Sequence, residues 1–266
     1  MTDPTVPLPV KAYDQASVFE PANLLREARR QKNLPDIAVP RVCLLDPDGD
    51  IATYLEHSGQ GHRHPGWACY HTDMWVTEVS GTQISVVARA VGAPFAVLVA
   101  EQLFASGAGL VNSITSAGQL QPLAQPPYFV LINHALRDEG TSLHYQPAAT
   151  WSDLPDHLAS RLAAALKNLE EPVITARSWT TDAPYRETPT AIASATELGA
   201  ACVEMEAAAL YALAAARRFD IVCLAHITNT MATSGDDFEK GEANGAHASL
   251  ALTAHVAHLL GAGTTD

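Results

Sequence analysis

The regular alternation of strand-like and helix-like segments after residue 83 is the feature that most limits the folds open to this 266-residue chain. Short apolar runs, such as QISVVARAVG (83–92) and IVCLAHITN (221–229), have the length of buried strands. Between them lie stretches with helical periodicity, such as APFAVLVAEQLFASGA (93–108) and the amphipathic DLPDHLASRLAAALKNL (153–169). Strands that alternate with helices pack as a sheet covered by helices, so this order predicts one α/β domain with a largely parallel sheet.

The remaining segments indicate a single domain, residues 39–266, preceded by an N-terminal arm and helix, residues 1–38. The arm is Pro-rich, and EPANLLREARRQKN (20–33) is typical of a surface helix with a proline in its first turn. The chain has no internal repeat, low-complexity tract or linker. Further predicted elements are a strand ending in a DPDGD turn at 39–50, a loop at 56–73, strands beginning at 109, 126 and 172, and helices at 202–218 and 242–260.

Composition and charge exclude several classes of function. The formal net charge of −13 argues against broad binding to nucleic acids or anionic membranes. No uncharged apolar run is long enough to span a bilayer, and the start, MTDPTVPLPVK, lacks the basic-then-apolar order of a signal peptide. The four cysteines form no CxxC pair, and Cys43, Cys202 and Cys223 lie in apolar stretches, which predicts a reducing, cytoplasmic location.

Polar residues follow several of the predicted strands. In open α/β folds, ligands bind at the carboxyl ends of strands, so these residues predict a polar pocket. Ordinary polar surface loops are the alternative. The polar segments are DPDGD (46–50), NSITSAGQ (112–119), TTDAPYRET (180–188), TNTMATSGDD (228–237), and the pair Glu204 and Glu206 after the short apolar run AACV.

In order along the chain, these segments resemble motifs of the nucleoside phosphorylase superfamily, which includes uridine phosphorylases, hexameric purine nucleoside phosphorylases and nucleosidases. VEMEAAALYALA (203–214) is similar to the family's Glu-Met-Glu motif, and NSITSAGQL (112–120) resembles its Gly-Thr-Xaa-Gly loop. SWTTDAPYRE (178–187) resembles the loop over the base, and residues 79–108 resemble a strand, Gly-Pro turn and helix of the family. The resemblance implies a three-layer α/β sandwich with a central mixed, largely parallel sheet, and active sites shared between two subunits.

The reaction of this family suggests roles for the acidic pair Glu204 and Glu206. Cleaving a C1′–N bond builds positive charge on the ribose and negative charge on the leaving base, so a site needs a carboxylate near the sugar, donors for the base and a positioned nucleophile. The resemblance implies that Glu206 binds the ribose 2′- and 3′-hydroxyls and that Met205 packs on the sugar. Glu204 is open between a direct role and a plain acid at a helix N-terminus.

The resemblance also places residues around the base. Thr228 and Asn229 stand where purine phosphorylases of this branch carry Ser-Asp. Asn229 can donate a hydrogen bond but no proton, which suits a base that tolerates negative charge, such as a 6-oxopurine or a pyrimidine-2,4-dione. The uracil-reading glutamine and arginine have no counterpart in TTDAPYRETPT (180–190), so uridine is disfavoured. Asp182 resembles a structural residue of the family, and Tyr185 either lines the base pocket or anchors its loop.

The chain departs from the family at the phosphate site. One family arginine falls at Gly49 in the turn after the first strand, and a second falls at Ser113. Ser116, with Gly118 beside it, retains the hydroxyl position of the Gly-Thr loop. Each lost charge-assisted hydrogen bond to phosphate costs ~1.5–3 kcal/mol, so losing both is a serious obstacle to ordinary phosphorolysis.

Two replacements are open at the acceptor position. The loop GHRHPGWACYH (61–71) could supply phosphate contacts through Arg63, His64 or the neighbouring histidines His62 and His71, or it could be a solvated loop. Alternatively water is the acceptor, and Asp50 activates it from near the position of the nucleosidase glutamate. A plain turn explains the acidic DPDGD segment equally well. No metal is expected, because no carboxylate or cysteine completes a ligand spacing in this loop.

The sequence therefore predicts cleavage of a nucleoside N-glycosidic bond, purine-type, by ribosyl transfer to phosphate. The alternatives are a phosphate-independent nucleosidase and a nucleoside-binding protein without turnover. The expected small molecules are a nucleoside with phosphate or water, and no cofactor is expected. The resemblance implies a homo-oligomer, either a dimer or a hexamer built from dimers.

Overall fold

The structure is a computed structural model that describes residues 11–167, 169, 173–231 and 238–262. It has the predicted α/β character, with a large mixed sheet flanked by helices. The helices are α1 Pro21–Lys32, α2 Asp50–Ser58, α3 Ala93–Ala105, α4 Asp156–Lys167, α5 Pro189–Glu197, α6 Ala207–Arg217 and α7 Ala246–Leu260. The strands are β1 Val42–Asp46, β2 His62–Arg63, β3 Met74–Val79, β4 Thr82–Ala88, β5 Leu110–Gln119, β6 Tyr128–Asp138, β7 Trp151–Asp153, β8 Ile174–Thr181, β9 Ala200–Glu204 and β10 Ile221–Asn229.

Five strands of the sheet close into a ring. Strand β5 pairs with β10, which continues through β6, β8 and β9 back to β5. Strands β1, β4, β3 and β2 extend the sheet outward from β5. The ring closes where the end of β5 meets the end of β9 antiparallel, with Gly118 opposite Val203, while Gly118 also faces Asn229 of β10. The polar ends of three strands therefore converge on one point of the ring.

The central strands are enclosed on both faces. Every residue of β1, β9 and β10 is buried, as expected for strands that have helices or strands on both sides. Helix α6 is buried from Ala207 to Ala214, and its many alanines allow close packing against α3 and the sheet. The hydroxyl of its one buried tyrosine, Tyr211, donates to the Ile132 carbonyl and accepts from the Cys223 N–H, so this polar atom is satisfied inside the core.

Two predicted elements differ from the structure. The predicted helix at 202–218 is a strand that ends at Glu204, followed by a helix that begins only at Ala207. The carboxylate of Glu204 accepts the N–H groups of Glu206 and Ala207, which fixes the change from strand to helix there. The predicted loop at 56–73 contains the end of α2 and the short strand β2. Helix α2 forms because Ile51, Ala52 and Leu55 share one buried face.

None of the helices in the described ranges is long and apolar enough to cross a membrane. All four cysteines are buried and unpaired.

Candidate active site

Glu206 lies at the point where the strand ends converge, just before α6 begins. Its side chain is 1% exposed, and its Oε1 accepts the N–H of Gly92, at the start of α3, over 2.7 Å. Its other oxygen, Oε2, is buried and has no hydrogen-bond partner within the described part of the chain. Burial, followed by the negative charge of Glu204, raises the pKa of Glu206 to about 8. The nearby Thr115 hydroxyl and the Met205 backbone also favour the charged form of Glu206. One oxygen of this carboxyl group is thus fixed by Gly92, and the other can accept hydrogen bonds from a ligand.

Glu204 has a different environment although it is only two residues away. Its carboxylate accepts hydrogen bonds from the hydroxyls of Ser178 and Thr180 and from the N–H groups of Glu206 and Ala207. Burial raises the pKa of Glu204, while all four of these donors favour its charged form. Glu204 is therefore a buried anchor that joins β8, β9 and α6, with its oxygens already used.

Asn229 and Thr228 end β10 beside this acidic pair. The Asn229 amide donates to the Thr228 hydroxyl at 3.2 Å and accepts from the Met231 N–H at 2.9 Å. Within the described residues these contacts use one of the two amide hydrogens, which leaves the second for a ligand. Gly118 packs against this group so closely that a Cβ on it would lie 2.5 Å from the Met231 sulfur. A side chain at position 118 would therefore require Met231 to move.

The turn after β1 forms the other end of the site. Asp46 is buried and accepts the N–H groups of Gly49 and Ala52, so it caps the start of α2. Burial raises the pKa of Asp46 to about 6. Gly49 has a φ of +84°, a left-handed conformation that favours glycine. Two of the backbone donors at this helix start, those of Gly49 and Ala52, are thus already bound by Asp46 and do not serve an anion.

The other two acids of the turn form a charged cluster with Lys240. The Lys240 ammonium lies 2.6 Å from Asp50 and 3.6 Å from Asp48. Asp48 in turn accepts the backbone N–H of Ser116 at 3.0 Å, so a carboxylate occupies a donor of the Gly-Thr-like loop. The Ser116 hydroxyl is buried without a partner in the described residues. Asp50 and Ser116, both predicted at the acceptor position, are thus brought together through Asp48 and Lys240.

Some predicted residues lie away from this cluster. Tyr185 is 98% exposed, so within this chain it lines no base pocket. Asp182 accepts the Gly140 N–H, which fastens one loop to another. Arg63 lies on β2, three strands and about 14 Å across the sheet from β1, and pairs with Asp73. His64 binds the Ala38 carbonyl on the same outer edge.

Several residues at the site were missed by sequence reasoning. Gly92 holds Glu206, Lys240 neutralises the acidic turn, and Arg89 lies against Gly49. Met205, which was predicted to pack on the sugar, lies over Gly92, with its Cε 4.0 Å from where a Cβ on that glycine would be. The Gly92-Ala-Pro turn was a usable signal, because a glycine with φ of +85° before a helix allows close approach of another group.

Known proteins share this architecture. A family model described as the phosphorylase superfamily matches residues 41–261. A guanosine phosphorylase of Halorubrum lacusprofundi is 27% identical over 135 residues, and the match spans 50% of this chain and about half, 56%, of that protein. A uridine phosphorylase from Vibrio fischeri aligns with a TM-score of 0.67 at 20% identity over 84% of this chain and 90% of its own. An AMP nucleosidase from Bacteroides thetaiotaomicron gives 0.67 at 20% identity over 91% and 98%. These structural likenesses confirm the predicted fold class.

Proposed function

The chain belongs to the phosphorylase superfamily, and on that premise we propose that it cleaves the N-glycosidic bond of a purine-type nucleoside and transfers the ribosyl group to phosphate. The observation that carries the proposal is the Glu206 carboxyl group. It is fixed on one oxygen by Gly92 and open on the other, at the convergence of β5, β9 and β10. A carboxyl group with one fixed and one open oxygen can accept hydrogen bonds from the hydroxyls of a sugar, and we call this arrangement the Glu206 clamp.

The position of Glu206 suits the charge that the reaction develops. As the bond between C1′ and the base breaks, the sugar becomes cationic, and an ionised Glu206 stabilises that cation while it accepts ribose hydroxyls. A buried carboxylate acts strongly here because little water competes with it. Glu204 lies behind it and holds the backbone of Glu206 in place, which makes it a positioning residue.

The base end supports a 6-oxopurine as the leaving group. The second amide hydrogen of Asn229, which has no partner among the described residues, can donate to a ring nitrogen or carbonyl of the base, which stabilises the negative charge left on it without transferring a proton. A 6-oxopurine tolerates that charge better than adenine does. The guanosine phosphorylase named among the relatives acts on a nucleoside of this chemistry by its name.

The acceptor end supports two candidates. Phosphate would bind the Ser116 hydroxyl, which has no other partner in the described residues. The cations beside the β1 turn, Lys240 and Arg89, would add charge at this end. Hydrolysis is the second candidate, because Asp48 accepts the Ser116 N–H and shares Lys240 with Asp50, so these carboxylates could polarise a water molecule. An AMP nucleosidase among the structural neighbours shows that this fold is compatible with a nucleosidase.

One assay separates these candidates. The protein is incubated with guanosine, inosine, adenosine and uridine, with and without inorganic phosphate, and free base is measured. Phosphorolysis predicts base release from the 6-oxopurine nucleosides that requires phosphate and yields ribose 1-phosphate. Release that is equal without phosphate supports the hydrolase and overturns the phosphorylase. Binding without release from any nucleoside supports a non-catalytic binding protein.

The remaining parts of the proposal follow from the reaction. Phosphate is a co-substrate, and no step requires a further cofactor. The nucleoside and phosphate are the proposed partners, in a nucleoside salvage role in the cytoplasm. A homo-oligomer, dimer or hexamer, remains a prediction from the family resemblance.

A further inference from the structure

The β1 turn lacks an arginine at Gly49, yet the space of that missing side chain is filled by a cation from another strand. We infer that Arg89, which follows β4, supplies the phosphate-binding charge that the β1 turn lacks. The inference rests on the proposed phosphorolysis and adds to it a binding residue that neither the sequence motifs nor the family pattern indicates.

The packing of Arg89 against Gly49 is the first support. A Cβ built on Gly49 would lie 3.1 Å from Cγ, 3.2 Å from Nε and 3.4 Å from Cζ of Arg89. The stem and guanidinium of Arg89 therefore lie where a side chain at position 49 would start. A long side chain at position 49 would require Arg89 to move away. The cation beside this turn therefore comes from the end of β4, the strand next to β1, and not from the turn itself.

The backbone of Arg89 is the second support. Arg89 has a φ of +64°, a left-handed conformation that is uncommon for a residue with a side chain. Its N–H donates to the Asp46 carbonyl, which holds this conformation against the end of β1. Strained backbone of this kind tends to persist at functional sites. The same short loop continues to Gly92, so it positions both Arg89 and the Glu206 clamp.

The availability of the Arg89 charge is the third support. Lys240, the other cation of the region, is bound to Asp50 and Asp48. Arg89 forms no ion pair with any carboxylate of the described residues, and its recorded side-chain contact is a long one of 3.4 Å to the Thr53 hydroxyl. An exposed guanidinium, most of whose N–H donors are unused by the described residues, suits the paired oxygens of a phosphate.

The test replaces Arg89 by Gln and by Lys and uses Arg218→Gln as the control. Arg218 is also exposed and left-handed, with a φ of +58°, but it caps the far end of α6, about 18 Å along the helix axis from Glu206. We expect Arg89→Gln to raise the phosphate KM about 10- to 100-fold, leave the nucleoside KM within about twofold, and abolish the rise in Tm that inorganic phosphate gives the wild type. Arg89→Lys should restore part of the phosphate affinity, and Arg218→Gln should match the wild type.

The outcomes separate this inference from the proposed function. Phosphate-dependent release in the wild type with an unchanged phosphate KM in Arg89→Gln overturns the role of Arg89 and leaves phosphorolysis standing. Phosphate-independent release in the wild type overturns phosphorolysis itself. In that case the inference also fails, unless phosphate raises the Tm of the wild type and not that of Arg89→Gln, which would support Arg89 as an anion-binding residue independently of the reaction.

Discussion

The proposed sugar end and the proposed acceptor end of the candidate site are built in opposite ways. At the sugar end, Glu204 and Glu206 are 3% and 1% exposed, and backbone N–H groups and core hydroxyls fix them. At the acceptor end, Asp48, Asp50 and Lys240 are partly exposed and are held mainly by one another. The acidic pair is anchored in the core, so a substitution there disturbs many neighbours. The charged residues of the β1 turn lie near the surface, where a substitution disturbs fewer contacts. On the proposed roles, the sugar-binding carboxylate can therefore be retained while the residues proposed at the acceptor end depart from the family pattern.

The largest expected effect comes from Glu206→Gln, which tests whether the sugar end is essential. The amide keeps the size of the side chain but removes the charge that stabilises a cationic sugar. We expect kcat/KM for the nucleoside to fall on the order of 1000-fold. Because glutamine resembles the protonated acid that burial favours, the Tm should be unchanged or higher.

The control for this variant is Glu197→Gln, on the exposed surface of α5, which should leave both rate and Tm unchanged. A Glu206→Gln protein that retains the wild-type rate would remove the central role of this carboxylate. A large loss of Tm would instead mean that Glu206 is structural, like its neighbour.

The second prediction concerns Glu204 and should affect mainly stability. In Glu204→Ala, the hydroxyls of Ser178 and Thr180 and the N–H groups of Glu206 and Ala207 lose their acceptor. Leaving buried donors unpaired should lower the free energy of unfolding by about 3 kcal/mol, measured by denaturant titration. Glu204→Gln keeps one acceptor oxygen and should lose less. If Glu204→Ala were as stable as the wild type, the anchor described here would not exist.

Sequence reasoning predicted the parts of the fold that depend on local patterns. The alternation of strands and helices, the strand ending near Asp46 and the clustering of polar strand ends are all present. The closure of the ring was not predicted, because the pairing of Gly118 with Val203 joins residues far apart in sequence. The start of α6 was placed too early, since the Glu204 cap that delays it depends on Ser178 and Thr180 from another strand.

The same limit applies within the site. Glu206 could be singled out from the sequence because its motif is contiguous, from Val203 to Ala214. Lys240 was missed because its partner Asp50 is 190 positions away, and no spacing rule connects them. Arg89 was missed for a related reason. Its packing against Gly49 joins residues of two different strands, and no local sequence pattern reports such a contact.

The third prediction uses pH to separate the two ends. The pKa of Glu206 is about 8 in the free protein, so the carboxylate required for catalysis should form only as the pH rises. We expect kcat/KM to increase about tenfold from pH 7 to pH 9 in phosphate-saturated assays.

The free energy of unfolding should change in the opposite direction. A raised carboxyl pKa stabilises the folded protein fully below the ordinary value of 4.5, and this contribution is lost as the pH rises through about 8.

A flat kcat/KM profile between pH 7 and pH 9 would show that ionisation of Glu206 does not limit the reaction. The Tm profile of Glu206→Gln gives the matched control, because that variant has no group at this position to titrate. Its Tm should decline less than that of the wild type over the same pH interval.

The smallest expected effect, from Asp48→Asn, is also the one that most sharpens the comparison, because the two candidate reactions predict opposite signs. Asp48 holds the Ser116 N–H with a negative charge that a phosphate would have to displace. If phosphate is the acceptor, the neutral amide should lower the phosphate KM about 5-fold and leave the nucleoside KM unchanged. If the carboxylates of the turn activate water, the same variant should slow base release without phosphate.

The control is Asp36→Asn, which replaces a carboxylate with 88% side-chain exposure that is paired with Arg29, and it should change neither quantity. An unchanged phosphate KM together with an unchanged rate would show that the acceptor binds away from the β1 turn, and the acidic cluster would then be only the cap that joins α2 to Lys240.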